Sequence, residues 1–345
     1  MAFPDWPLSR GSVNPSGWWR DSAEFLEHSH RYVAEGVALL IGILCAWVWQ
    51  IRWAVPLAIG GSASLALLAW MMGAPRPIVA HVGLWGAATI FTIVLLSRLR
   101  RGDHLHSPTV RWLAFAAYLG VCAQAVMGGL RVTTETSGDL VSATTFRVVH
   151  GCFAQAELCL LVALAAILSP IWHSELGRRD LGGVRTLAWV SAAALFFQLV
   201  LGATMRHLGA GLAIPTFPQA APDGSWWPAS QNIFITLNYS HTRVGAVLVG
   251  LLVLWTVARC FWTESRPPFI CRPASVAAVL LLAQIAMGVL VIWNGRPPIL
   301  TTLHVVNGAA LLATMVLLAV RASGSSPGMR VRLPSAEPQL TVLRA

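Results

Sequence analysis

Lysine is absent from this 345-residue chain, whose 24 basic residues are all arginine. Charge of either sign is scarce: 11% of the residues are charged, against roughly 25% in a soluble domain. Hydrophobic residues make up 56%. That balance excludes an ordinary soluble globular protein and points to a polytopic membrane protein. A net charge of +10 raises the question of nucleic acid, but the arginines fall between apolar segments and form no binding stripe, so no nucleic-acid partner is expected. The six cysteines show no Cys-x-x-Cys spacing and lie mostly inside apolar runs, which argues against a disulfide framework or a zinc site. There is no His-Glu-x-x-His, and the polar, proline-rich start shows no signal peptide.

What is present is a series of nine apolar spans, near 31–50, 54–72, 78–98, 111–130, 146–168, 185–205, 237–258, 274–293 and 300–320. Each approaches the roughly 20 residues that cross hydrocarbon, and a helix is the default because it bonds its own backbone. The expected fold is all-α. Arginines crowd one set of connections, including Arg98, Arg100, Arg101 and Arg111, then Arg178, Arg179 and Arg185, then Arg259, Arg266 and Arg272. The positive-inside rule then puts the N-terminus outside and the C-terminus in the cytoplasm. Residues 321–345 read as a short cytoplasmic tail.

Five of the ten histidines fall at the outer ends of inward-running spans: His30, His81, His150, His241 and His304. Polar groups near a bilayer are costly, so that placement suggests function, and imidazoles on different helices are natural ligands for a haem iron. A hydrogen-bonded interfacial residue is the plainer reading of any one of them. His28, His104, His106, His173 and His207 read as loop residues. The His-x-His pairs at 28/30 and 104/106 would suit only a loosely held metal.

The chain also repeats itself. Pro4 and Pro7 in MAFPDWP match Pro215 and Pro218 in LAIPTFP, and in each case a histidine follows 23 residues after the second proline, His30 and His241. Gln-x-x-x-Gly recurs as Gln124–Gly128, Gln198–Gly202 and Gln284–Gly288, near the outer ends of outward-running spans. Glycine there permits close packing of helices or of a flat cofactor. The expected organisation is two similar helix bundles, residues 1–183 and 184–320. The pair at 54–72 and 78–98 reads as an insertion in the first. No counterpart of the 185–205 span precedes MAFPDWP, either because the chain lacks it or because its start was assigned downstream. Within the repeat Glu27 stands where the second half has Asn238, each three residues before its histidine. That asymmetry suggests proton handling in the first half and simple retention of a redox centre in the second. Glu27 also has a plainer reading, a salt bridge to Arg31 or Arg20. Glu157, polar within a span, reads as pairing with a neighbouring helix.

PDWP at 4–7, EHSHR at 27–31, QAVMGGLRV at 124–132 with HG at 150–151, RHLGAGLAIPTFP at 206–218, SHTR at 240–243, and QIAMG followed by LH at 303–304 together resemble the haem A synthase family. The resemblance covers residues 1–320 except roughly 52–105. It implies a bacterial inner-membrane enzyme of two four-helix bundles that oxidises the C8 methyl of haem O to a formyl group by two successive hydroxylations. It implies haem O as substrate on His30 and His150 in the first half, with Glu27 as catalytic residue, and haem b on His241 and His304 in the second. Arg131 and Arg206, with Arg147 and Arg243, are candidates for the haem propionates on charge alone. Haem O synthase and an electron donor are the candidate protein partners, and an oligomer is compatible with all of this.

The sequence departs from the family's pattern in three respects. The first family helix has no counterpart here, residues 1–44 carry no cysteine, and His81 sits at a depth where it competes with His150 as partner of His30. The repeated Gln-x-x-x-Gly context favours His150. A two-haem electron-transfer cytochrome and a non-catalytic haem-binding assembly protein are the alternative functions.

Overall fold

Hydropathy trims the polar turns from helix ends, and the computed structural model of the chain restores them. It describes residues 2–98, 105–174, 181–228, 230–263 and 266–324. His104, the side chain of His173 and the tail 325–345 lie outside the described residues. The first helix, α1 (Ser22–Val48), begins nine residues before the expected span. Its start is set by Asp21, whose carboxylate accepts from the Ala23 and Glu24 N–H groups. His28 and His30, read at or before the membrane edge, are therefore well inside a helix.

The same correction applies along the chain. α2 (Ala54–Met71) and α3 (Arg76–Arg98) form a helical hairpin. α4 (Pro108–Thr136) starts on Ser107, which accepts from Val110 N–H with Pro108 in the first turn, and α5 (Leu140–Leu168) starts on Asp139, which accepts from Ser142 N–H. A short α6 (Pro170–Ser174), not expected from the sequence, leads to α7 (Gly182–His207). The next span is composite: α8 (Ile233–Tyr239), a π-helical segment (Ser240–Gly245) and α9 (Ala246–Phe261). α10 (Pro268–Trp293) and α11 (Pro298–Ser323) complete it. Among the described residues nine helical stretches are long and apolar enough to cross a membrane, and there is no strand beyond one isolated Ser9–Ser12 bridge. The chain is an all-α, multi-pass membrane protein.

The second half closes on itself, with α7 against α9, α9 against α10, α10 against α11, and α11 back against α7. Its interior is apolar, centred on the buried Leu311, Leu312, Met315 and Leu318 of α11. In the first half α1 packs on α4 and α4 on α5, and α5 also leans on α7 and α11. The hairpin is held mainly by its own contact. Gly86 lets α3 approach α2 so closely that a Cβ would lie 3.3 Å from Ser62 Cβ. Tyr118 ties the hairpin to α4 by donating to the Ala88 carbonyl (2.8 Å) while its ring meets Phe91. Large side chains such as Leu39, Leu40, Leu248 and Leu251 point outward and exposed, as a lipid-facing surface requires.

Because the hairpin depends on small-residue packing, Gly86→Leu should lower stability in detergent by about 1–3 kcal/mol through overpacking. Gly60→Leu, where nothing lies within 4 Å of an added Cβ, is the control. Equal thermal-unfolding losses in the two variants would rule this account out.

Candidate functional site

Each Gln-x-x-x-Gly segment meets a histidine. The Gln198 amide on α7 donates to the His241 main-chain carbonyl (2.7 Å), and His241 Nδ1 lies 3.2 Å from the Gln198 carbonyl. On α4 the Gln124 amide donates to the His150 carbonyl (3.2 Å). On α10 the Gln284 amide reaches His304 Nε2 (3.2 Å), steadied by Asn307, which donates to the Gln284 side-chain oxygen (2.7 Å). One helical turn on, the glycine leaves room for the ring. An added Cβ would lie 2.5 Å from His241 Cε1 at Gly202, 3.1 Å from His304 Cε1 at Gly288 and 3.5 Å from His150 Cε1 at Gly128. Residues four apart share a helix face, so one face supplies both the amide and the gap.

His241 lies inside the π-helical segment, where the helix is locally widened. Beside it Asn238 is fully buried, and its amide donates to the Ala210 and Gly211 carbonyls (2.9 and 3.1 Å). Arg243 turns away from the histidine. It donates to the Thr216 and Gln219 carbonyls of the outer loop and to the Asn238 side-chain oxygen. That engagement removes it from the set of free propionate partners.

The first half builds a similar anchorage with different chemistry. Arg31 donates to the Asp5 and Leu8 carbonyls (3.0 and 2.6 Å), which correspond in the repeat to Thr216 and Gln219. It also holds Glu27 Oε1 at 2.9 Å, while Glu27 Oε2 accepts from Ala2 N–H (2.7 Å). Glu27 therefore sits one turn from His30, in a fixed orientation. Both loops carry a cis bond before the second proline, Trp6–Pro7 and Phe217–Pro218.

His30 and His150 lie close enough for their charges to interact, as do His241 and His304. The charge of Arg131 reaches both His30 and His150. Arg131 and Arg147 share the Glu135 carboxylate, at 3.9 and 2.8 Å. Arg206 is exposed, and its charge falls on His207, which closes α7 rather than lying in a loop. His81 takes a different neighbour. Trp6 packs its ring 5.4 Å from His81 and also touches Trp85 and Gly129, so the outer loop is wedged between α3 and α4. His28 points away from His30, as residues two apart on a helix must, into a box of Phe3, Trp18 and Tyr32, with Ser9 Oγ 3.1 Å from its Nδ1. Among the described residues no group of three or more metal-ligating side chains forms.

These donors fit a flat iron macrocycle. The Nδ1 atoms of His150 and His304 are buried without a hydrogen-bond partner. His241 turns Nδ1 to a carbonyl, leaving Nε2 for an iron. At His304 an iron would take the place of the Gln284 amide on Nε2. Sequence reasoning missed the π-helical segment, the Arg31 and Arg243 loop anchors and the Ala2 contact to Glu27. Only the shared loop motif and the arginine that follows each histidine hinted at them.

The glycine gaps are unequal, so substitutions there should be too. Gly202→Ala should cost about 1–3 kcal/mol in thermal unfolding, because the His241 ring must move. Gly128→Ala meets only ordinary contact and should be neutral or gain up to about 1 kcal/mol from helix propensity. A reversed order would show that the rings are not held where the structure puts them.

The chain is similar to known proteins along most of its length. The chain is 27% identical over 289 residues to the heme A synthase of Symbiobacterium thermophilum, covering 83% of this chain and 74% of that protein. It is 27% identical over 273 residues to the heme A synthase of Paracoccus denitrificans, covering 74% and 68%, and 25% identical over 293 residues to that of Shouchella clausii, covering 83% and 75%. The family model described as cytochrome oxidase assembly protein, COX15-CtaA, matches residues 20–316, and the chain belongs to that family.

Proposed function

We propose that the chain is a haem A synthase, a haem-dependent membrane oxidoreductase that converts haem O to haem A. The observation that carries this reading is Glu27. It is oriented by Arg31 and Ala2 N–H one turn from His30, at the position where the second half buries Asn238. In this reading His30 and His150 hold haem O as substrate, and Arg131 faces its propionates. His241 and His304 would hold a haem b, which supplies electron transfer when bound. The reaction would be two successive hydroxylations of the C8 methyl, each consuming one dioxygen with two electrons from the donor and two protons and releasing one water, after which the gem-diol loses water to give the formyl group. Glu27 would hold or accept a proton beside that methyl, and Arg31 would keep its carboxylate aimed there. Asn238, neutral and engaged with two carbonyls, would only anchor the outer loop over the second site.

The two halves, 1–183 and 184–320, would then be a substrate bundle and a haem b bundle in a bacterial inner membrane. The N-terminus would be outside and the His-bearing helix ends on the outer face. Haem O synthase and an electron donor are the partners this reading requires.

The test is to express the chain in membranes supplied with haem O and identify every extracted haem by mass. Haem A or its hydroxylated precursor is expected. Glu27→Gln, which keeps a hydrogen bond to Arg31, should lower the yield by about 10²-fold or more while leaving thermal stability close to that of the parent. Haem b alone from the parent chain would leave an electron carrier or a non-catalytic haem-binding protein.

A further inference from the structure

One carboxyl group has no part in that scheme. Glu157 lies in the middle of α5, 9% exposed, and its Oε1 has no hydrogen-bond partner. An acid at that depth in a membrane helix is costly without a partner, and its retention calls for a role.

Its position is specific. Glu157 follows His150 by seven residues, two helical turns, so the two side chains project from one stripe of α5 at an axial separation of about 10 Å. Helical side chains slant back toward the N-terminus of their helix, which here is toward His150. The opposing helix repeats the same arrangement. Gly128 of α4 faces His150, and Gly120, eight residues earlier, faces Glu157, where an added Cβ would lie 2.8 Å from the carboxyl carbon. α4 therefore has a gap cut for each.

In the other half both members of this pair differ. The residue seven after His304 is Leu311, fully buried. The residue eight before Gly288 is Leu280, packed against the same core. Glycine and acid in one half correspond to two leucines in the other. A merely tolerated polar residue would not need the opposing gap.

We infer that Glu157, as the neutral acid, recognises the hydroxyl group on the long isoprenoid substituent that distinguishes haem O from haem b. This rests on the proposal that His30 and His150 hold haem O. With the propionates toward Arg131 at the outer end, the isoprenoid-bearing edge of the macrocycle lies inward, on the side where Glu157 stands. A neutral carboxyl group both donates and accepts, so it can form a reciprocal pair with one hydroxyl. A site built to hydrogen-bond a substrate hydroxyl leaves its own group unpaired when the ligand lacks it, which is how such sites discriminate. Leu311 and Leu280, offering no such group, suit a haem without that substituent.

The experiment titrates the purified full-length chain, carrying its resident haem, with haem O and separately with haem b, and reads the ratio of the two Kd values. Glu157→Leu should shrink the preference for haem O by about tenfold, the effect of one buried hydrogen bond. Glu157→Gln, which still donates and accepts, should retain part of it. The isoprenoid chain's apolar contribution is common to parent and variants, so the change in ratio isolates the hydroxyl. The absorption spectrum of the resident haem reports whether each variant is folded, and if Glu157→Leu does not fold, the ratio for Glu157→Gln decides. An unchanged ratio in a folded variant that still binds haem O would overturn the inference. Failure of the parent chain to bind haem O, or binding that survives His150→Ala, would instead overturn the site assignment on which it rests.

Discussion

An imidazole within a bilayer has to be held by its neighbours, because no water is there to orient it or to satisfy its backbone. Here that constraint is met three times by the same device, a glutamine amide bonded to the histidine and a glycine one turn away that leaves room for the ring. An unpaired buried amide or carbonyl would cost roughly 2–7 kcal/mol, so the glutamine is worth more in this setting than at a surface. The helix order follows from it. α7 must pass His241, α10 must pass His304 and α4 must pass His150, which brings these helices together in antiparallel neighbours.

The outer loops add a second constraint. Both cross the mouth of a bundle, and both are fixed by an arginine that donates to two main-chain carbonyls at corresponding positions. Each arginine also donates to the residue three before the histidine, a carboxylate in one half and an amide in the other. In the first half the bond is a salt bridge, which fixes the direction of the Glu27 carboxyl group. In the second the amide is used up on Ala210 and Gly211, and a neutral side chain stands where the first half has a carboxyl group.

Much of this was legible in the sequence. Nine apolar spans, the five histidines and the recurrence of Gln-x-x-x-Gly were sufficient to anticipate an all-helical membrane protein, because hydropathy and spacing are local properties. Less was legible at the ends of helices. α1 starts nine residues earlier than its apolar run because Asp21 caps a polar first turn, and capping outweighs hydropathy where the helix leaves hydrocarbon. The π-helical segment around His241 left only the unequal spacing of Arg31 and Arg243 from their histidines, which gains meaning when both are seen to reach equivalent carbonyls. His81 was ambiguous by depth alone, and it took the packing of Trp6 to show what it touches.

In the proposed reading two similar bundles do two jobs, and they should then differ where ligands are met and not where helices pack. The differences found here follow that rule. Glu27 replaces Asn238 toward the outer surface, and Glu157 with Gly120 replaces Leu311 with Leu280 two turns inside the histidines. Each exchange adds a carboxyl group to the first half and leaves the glutamine–histidine–glycine contacts alone. One carboxyl is tied to arginine, and the other is buried and without a partner at Oε1. The two therefore suit different work. A group oriented by an arginine beside a histidine is placed to handle a proton, whereas one without a partner two turns deeper is placed to hydrogen-bond a substrate group. In the proposed reading the outer acid serves the reaction and the inner acid chooses the substrate, and the second half, stripped of both, is left to hold a haem and pass electrons.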